Sequence, residues 1–325
     1  MARTFNLNAQ CHCGTISQPI RSPPIDDLAH DFRAQESSPK KVQLCHCTSC
    51  RRSTGNLYAS YYLFSPPHLE NTTAYPPIPI NPDRPDKIYR RHFCSTCGCH
   101  IFRSIFDKQR VKYSDVKLKA SECMRWGVAT GTLDDVARNV EFSDHVFVGD
   151  TKDGGAAVWL RETYRGPLSV YAHAGRDYYT GKFPPRITFS KQKHRYPHLP
   201  LLGDDQLKAS CLCKAVQFHI TRPTSSLQIV SPNIPDFLKG EKEKEGRWWL
   251  RENGTKYLAG LCVCRTCRLT SGFEIQPWAY VPRANISFNS PSQHASTGEE
   301  ATTSTPLNLE ALSAGIFTTY ETSLQ

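Results

Sequence analysis

The chain has 325 residues, of which 39% are hydrophobic and 22% charged, with a formal net charge of +10. That length suits two domains, each able to bury a core. No apolar run approaches the ~20 residues of a membrane helix, and the opening Met-Ala-Arg-Thr-Phe-Asn-Leu-Asn-Ala-Gln lacks the apolar stretch of a secretory signal.

In chain order, three short aromatic and β-branched runs, 57–64, 100–106 and 145–148, read as strands bounded by turn residues. Asp153-Gly154 fits a hairpin turn; Asp150, Asp153 and Gly155 lack EF-hand spacing. Long helical patterns are few, so the expected class is all-β. The five tryptophans, Trp126, Trp159, Trp248, Trp249 and Trp278, are expected in the core. A Lys-, Arg-, Pro- and Tyr-rich stretch over 178–200 reads as a solvated basic linker.

The chain holds 14 cysteines, twelve of them grouped: Cys11/Cys13, Cys45/Cys47/Cys50, Cys94/Cys97, Cys211/Cys213 and Cys262/Cys264/Cys267. Without a secretory signal the expected location is cytoplasmic, or also nuclear. Disulfides are disfavoured there, so clustered thiols read as metal ligands or redox sites. Cys99 and Cys123 read as plain buried thiols.

The groups repeat. Ala9-Gln10-Cys11-His12-Cys13 matches Ala209-Ser210-Cys211-Leu212-Cys213 at an offset of 200. The run from Cys45 to Gly55 matches that from Cys262 to Gly272 at an offset of 217. The 17 extra residues fall between Cys213 and Cys262, where the charged run 239–246 suits a surface loop. Phe93-Cys94-Ser95-Thr96-Cys97-Gly98 has no counterpart after Cys267; the expectation is that the second copy stops just short of it, after the 316–320 run. The expected layout is a complete zinc-binding domain over 1–165, a linker over 166–200 and a C-terminally incomplete copy over 201–325.

Spacing suggests the chemistry. In an extended segment, residues i and i+2 face the same way, so Cys11 and Cys13 can meet one ion with Cys94 and Cys97. Four thiolates close a tetrahedral zinc site, whose task is folding. Cys45, Cys47 and Cys50 offer three thiolates, which leaves the fourth corner for water or substrate. A thiol held there is deprotonated and becomes a nucleophile at neutral pH. His46, Cys99 or Cys123 as fourth ligand would instead make the site structural, although His46 reads better as a positioning or surface residue. Arg51 and Arg52 follow the trio and suit charge compensation or an anionic ligand.

Cys11 to Gly14, Cys45 to Arg51 and Phe93 to Gly98, in this order, resemble the glutathione-dependent formaldehyde-activating enzyme family, which includes centromere protein V. The resemblance covers residues 5 to about 135 and recurs less completely over 205–325, in a tandem layout similar to fungal members. It implies a zinc-stapled β-tent (suppressor-of-Sec-four-like) fold in tandem, and a structural zinc on Cys11, Cys13, Cys94 and Cys97. It also implies a catalytic zinc on Cys45, Cys47 and Cys50, with Arg51 beside it. The implied activity is that of a carbon–sulfur lyase, in which a thiol such as glutathione adds to or leaves a small carbonyl carbon; the expected partners are that thiol and that carbonyl compound. In the second copy, Lys214 stands for Gly14 and Val263 for His46. Cys262, Cys264 and Cys267 are expected to hold one zinc, while Cys211 and Cys213 lack a partner pair. The rival expectation is a non-enzymatic, zinc-stapled module that binds protein or nucleic acid through its positive charge; nucleic acid is disfavoured because the basic residues are spread along the chain.

Overall fold

The computed structural model describes residues 7–21, 39–75, 78–79, 87–107, 124–151, 153–173, 206–214, 216–223, 249–251, 254–282, 285–290 and 303–306. The linker beyond residue 173, the run 239–246, Cys123, Trp248 and the 316–320 run lie outside the described residues. The structure is mostly β, as expected. The chain divides into two units: Met1–Ser190 with Cys262–Gln276, and Lys191–Leu261 with Pro277–Gln325. No described helix is long and apolar enough to cross a membrane.

In the first unit, β1 (Leu7–Gln10) and β2 (Ser17–Ile20) form an antiparallel hairpin. β3 (Lys40–Cys45) leads into helix α1 (Thr48–Thr54). β4 (Tyr61–Phe64), β5 (Thr72–Ala74), β6 (Ile78–Pro79), β7 (Lys87–Cys94), β8 (His100–Asp107) and β9 (Met124–Ala129) make the main antiparallel sheet. Its order is β4-β9-β8-β7-β5, with β6 also on β7. After the short helix α2 (Val136–Asn139), β10 (Val140–Val146) runs parallel to β3. β11 (Glu162–Thr163) and β12 (Gly166–Pro167) pair with each other, and β13 (Ser169–Val170) joins β10.

Successive strand residues point to opposite faces, and the main sheet uses the two faces differently. Tyr62, Phe64, Phe102, Trp126 and Val128 pack the principal apolar core together with Leu7, Ala9 and Val140. Tyr61, Arg91, Arg103, Gly127 and Ala129 fall on the other set of alternating positions. Arg91 stands opposite Arg103, Arg103 opposite Gly127, and Tyr61 opposite Ala129. Gly127 makes this face possible. A Cβ there would come within 3.0 Å of Tyr61 Cβ and 3.5 Å of Arg103 Nη2.

Several local expectations change. In the 57–64 run only Tyr61–Phe64 is a strand; Ala59 forms a single bridge to Cys45. The strand expected over 145–148 ends at Val146, because Phe147 adopts left-handed φ (58°) and a 3-10 turn follows over Val148–Asp150. Asp153-Gly154 is a turn but not a hairpin: the Asp153 carboxylate accepts from the Gly155 amide and the chain enters a 3-10 turn, Gly155–Val158. Trp126 and Trp249 are buried, but Trp159 and Trp278 are 44% and 49% exposed, so these two are not core. Aromatic content alone does not tell a core residue from a surface one.

In the second unit, β14 (Gln206–Ser210) and β15 (Gln217–Thr221) form a hairpin that β20 (Ile286–Ser290) and β21 (Thr303–Pro306) extend. β16 (Leu250–Arg251) pairs with β17 (Lys256–Tyr257). β18 (Ala259–Cys262) and β19 (Gln276–Ala279) bracket helix α3 (Arg265–Ser271) in sequence, and the helix itself belongs to the first unit. The β14–β15 turn repeats the β1–β2 turn. Cys11 N donates to Ile16 O and Cys211 N to Val216 O, both at 3.0 Å. Position four of each turn is left-handed: Gly14 at φ 79° and Lys214 at φ 63°. A non-glycine residue there costs roughly 1 kcal/mol. Lys214→Gly is expected to stabilise this turn by that amount, raising hydrogen-exchange protection of the Val216 amide about fivefold; unchanged protection would contradict it.

Candidate metal centre

Two turns build the first thiol cluster. The expected extended presentation of Cys11 and Cys13 is not what the structure shows, because both lie in the turn after β1. Gly14 N donates to Cys11 O at 3.2 Å and tightens that turn. Cys94 ends β7, and the Gly98 amide closes the following turn onto its carbonyl at 2.9 Å. The Sγ atoms of Cys11, Cys13, Cys94 and Cys97 all lie within 4.8 Å of one another. Cys13 Sγ is 3.5 Å from Cys11 Sγ and 3.7 Å from Cys94 Sγ. Zinc–sulfur bonds of about 2.3 Å in a tetrahedron place sulfurs about 3.8 Å apart, so these residues fit zinc. Burial pushes the Cys11 thiol up to about 12. Burial would also raise Cys13, but contacts with Thr15 and Cys11 bring it down to about 6.

The second cluster straddles a strand end and a helix start. Cys45 closes β3, Cys47 caps α1, and Cys50 sits in its first turn. Cys47 Sγ accepts from the Cys50 amide at 3.3 Å. The three Sγ atoms lie within 4.8 Å of one another, and among the described residues no fourth His, Cys, Asp or Glu joins them. Cys99 is buried elsewhere, its Sγ 3.7 Å from the His100 carbonyl. His46 is fully buried and does not join the trio. Its Nε2 is 2.8 Å from His145 Nδ1, and His145 Nε2 is 2.7 Å from Leu160 O. The carbonyl can only accept, so His145 Nε2 carries a proton and His46 donates to His145 Nδ1. Burial, with His145 and Arg51 nearby, lowers His46 to about 3.

Arg51 occupies a different place from the one its sequence position suggests. Its Nε donates to His46 O at 2.9 Å and its Nη2 to Asp150 O at 2.8 Å. These bonds clamp the strand-to-helix connection, and Arg52 is exposed. The cation that faces the trio is Arg91, 1% exposed, with Nη2 3.7 Å from Cys50 Sγ. Arg103 lies over the Tyr61 ring at 4.0 Å, and Tyr61 Oη is 2.8 Å from His100 Nε2. Hydrogen bonds from Cys45 and Cys47, with the charges of Arg91 and Arg103 behind them, hold Cys50 well below the usual thiol range, against the opposing effect of burial. A divalent ion on three thiolates carries one net negative charge, which a buried guanidinium compensates. Sequence reading missed Arg91 and Arg103. Arg90 and Arg91 are adjacent on one strand, and only the register tells the exposed one from the buried one.

The third thiol cluster is Cys262, Cys264 and Cys267, again within 4.8 Å but more exposed. Its helix repeats the local design: Cys264 Sγ accepts from the Cys267 amide at 3.4 Å, and Gly272 closes α3 as Gly55 closes α1. Cys211 and Cys213 Sγ are 3.5 Å apart, and among the described residues no further ligand joins them.

The segment Cys262–Gln276 also brings Glu274 into the first unit, where its Oε2 accepts from Ser60 Oγ at 3.2 Å and its Oε1 is buried without a hydrogen-bond partner. Residues 6–150 match the family model described as glutathione-dependent formaldehyde-activating enzyme. No curated protein and no solved structure matches the chain significantly.

Burial raises the Glu274 carboxyl above its usual range. Between the unfolded and folded values the unfolded state has lost the proton that the folded state keeps, so stability falls as pH rises. Glu274→Gln is therefore expected to melt higher than the parent at pH 8, with the gain shrinking towards pH 4. A gain that is constant across thermal melts from pH 4 to 8 would contradict this.

Proposed function

Residues 6–150 belong to the glutathione-dependent formaldehyde-activating enzyme family, and from that premise we propose that this chain is a zinc-dependent carbon–sulfur lyase joining a glutathione-like thiol to a small carbonyl compound. The observation that carries this reading is the trio of Cys45, Cys47 and Cys50, gathered with no fourth ligand among the described residues and faced by buried Arg91. In the forward direction, sulfur bonds to the carbonyl carbon and the C=O π pair moves to oxygen. The thiol proton ends on that oxygen as a hydroxyl, and the reverse step returns it.

Zinc held by the trio would supply Lewis acidity that deprotonates the incoming thiol at neutral pH. The chain's own residues do the rest. Arg91 and Arg103 set a positive potential beside the trio, which favours an anionic sulfur and an anionic ligand. Arg51 acts as a positioning residue, fixing the connection that carries Cys47 through the His46 and Asp150 carbonyls. The buried face of the main sheet excludes water, which strengthens these charges. The rival binding-module reading rests on net charge and the basic linker, and two of the cations, Arg91 and Arg103, are committed to this face.

The expected complement is a structural zinc on Cys11, Cys13, Cys94 and Cys97, a working zinc on the trio, and one zinc on Cys262, Cys264 and Cys267. Under this reading, 1–165 is the complete domain and 201–325 a second copy joined through 166–200. Two features support the copy: the repeated turn at Cys211 and the repeated cap at Cys264.

The test is the rate of S-hydroxymethylglutathione formation by the zinc-loaded full chain. It should exceed the uncatalysed rate, fall at least 100-fold in Cys50→Ser, and fall about tenfold or more in Arg91→Gln with the zinc content of the trio retained. No acceleration by the zinc-loaded parent would overturn the proposal.

A further inference from the structure

The main-sheet face beside the trio does not end with residues of the first copy. Phe273, two residues beyond α3, is fully buried in one apolar cluster with Cys50, Ala59, Tyr61 and Ala129, and Cys45 and Cys47 pack against that cluster. Its ring meets Tyr61 edge-on at 5.7 Å and lies 5.4 Å from the His100 ring. The backbone that delivers it is tightly seated. Gly131 N donates to Gly272 O at 3.0 Å, and Arg268 Nη1 donates to Gly131 O at 2.7 Å and Leu133 O at 3.0 Å. A Cβ on Gly131 would lie 2.4 Å from the Phe273 carbonyl carbon, and one on Gly272 only 2.0 Å from His100 O. Gly272 also needs its left-handed φ of 86°. Glycine at both positions lets two backbones meet where any side chain would separate them.

The surroundings of the trio therefore divide into a cationic side, Arg91 and Arg103, and an apolar side, Ala59, Ala129 and Phe273. A thiol–carbonyl adduct has the same division. Its anionic groups belong to the thiol, and its carbonyl carbon carries only hydrogen or an alkyl substituent. Burying an apolar substituent needs free volume, and a large aromatic ring in a packed wall removes it.

We propose that Phe273 is a specificity-determining residue of the first trio's site, a wall supplied by the second Cys-x-Cys-x-x-Cys turn that restricts the carbonyl partner to formaldehyde-sized compounds. The proposal rests on the lyase reading above. It gives the second turn a task that does not require chemistry at its own exposed thiols: Cys262, Cys264 and Cys267 order the start of the segment, and Gly272-Phe273 closes the first site.

The experiment uses the zinc-loaded full chain and three variants, Phe273→Ala, Phe273→Leu and Phe273→Tyr, with two readouts. The first is kcat/KM for glutathione with formaldehyde against that with propionaldehyde. Phe273→Ala should shift this ratio at least tenfold towards propionaldehyde, with Phe273→Leu between it and the parent. The second is alkylation of Cys45, Cys47 and Cys50 by iodoacetamide, read residue by residue by peptide mass spectrometry; Phe273→Ala should raise it at least tenfold and Phe273→Tyr should leave it within twofold. An unchanged ratio and unchanged alkylation overturn the proposal. If Phe273→Ala fails to fold, the Leu and Tyr variants decide by whether the ratio follows side-chain size. If the parent catalyses no thiol addition, the lyase reading falls. Alkylation then still decides whether Phe273 covers the trio, and an unchanged rate removes the wall itself.

Discussion

Everything in the first unit is arranged around a problem of charge. Three cysteine sulfurs crowd within 4.8 Å at the junction of β3 and α1, beside a main-sheet face that buries Arg91 almost completely. An isolated buried guanidinium is costly, and so is a buried cluster of thiolates; together they are compatible. The strand register brings them together. One side of the main sheet holds the apolar core, and alternation then sends Tyr61, Arg91, Arg103 and Ala129 to the side where the trio lies. Gly127, without a side chain, leaves the room that Arg103 and Tyr61 occupy.

The other cysteine clusters show the same local devices put to different use. Two turns closed by left-handed glycines bring Cys11 and Cys13 to Cys94 and Cys97, 81 residues apart between Cys13 and Cys94. Such a closure joins distant segments, and a metal held there would couple to folding. The turn at Cys211 has the same hydrogen bonds, but Lys214 takes the strained position and no second pair joins it among the described residues. The turn at Cys264 keeps the capping pattern, and within the first unit its helix end packs on the main sheet and the turn after it through Arg268, Gly272 and Phe273.

Much of this was legible in the sequence, and the misses have physical causes. Cysteine spacing located three clusters because a metal demands several ligands at short range, whatever the surrounding fold. The all-β class followed from short aromatic and β-branched runs. The role of Arg51 was not legible, because a residue next to a ligand in sequence can turn its side chain to backbone carbonyls instead. Arg91 was invisible because its burial depends on register across β7 and β8. Phe273 was out of reach for a different reason: its neighbours Tyr61 and His100 are more than 170 residues away, and no local pattern encodes that meeting. Trp159 and Trp278 were misplaced because large aromatic residues serve surfaces as well as cores.

The central claim is that Cys45, Cys47 and Cys50 hold an ion that the polypeptide leaves incompletely coordinated. Its most direct test is a crystal structure of the zinc-loaded chain soaked with glutathione, with the metal located by anomalous scattering. The account predicts zinc bound by these three sulfurs, with the fourth ligand the sulfur of the added thiol. A fourth ligand drawn from the chain itself, whether His46, Cys99, Cys123 or another residue, would contradict it.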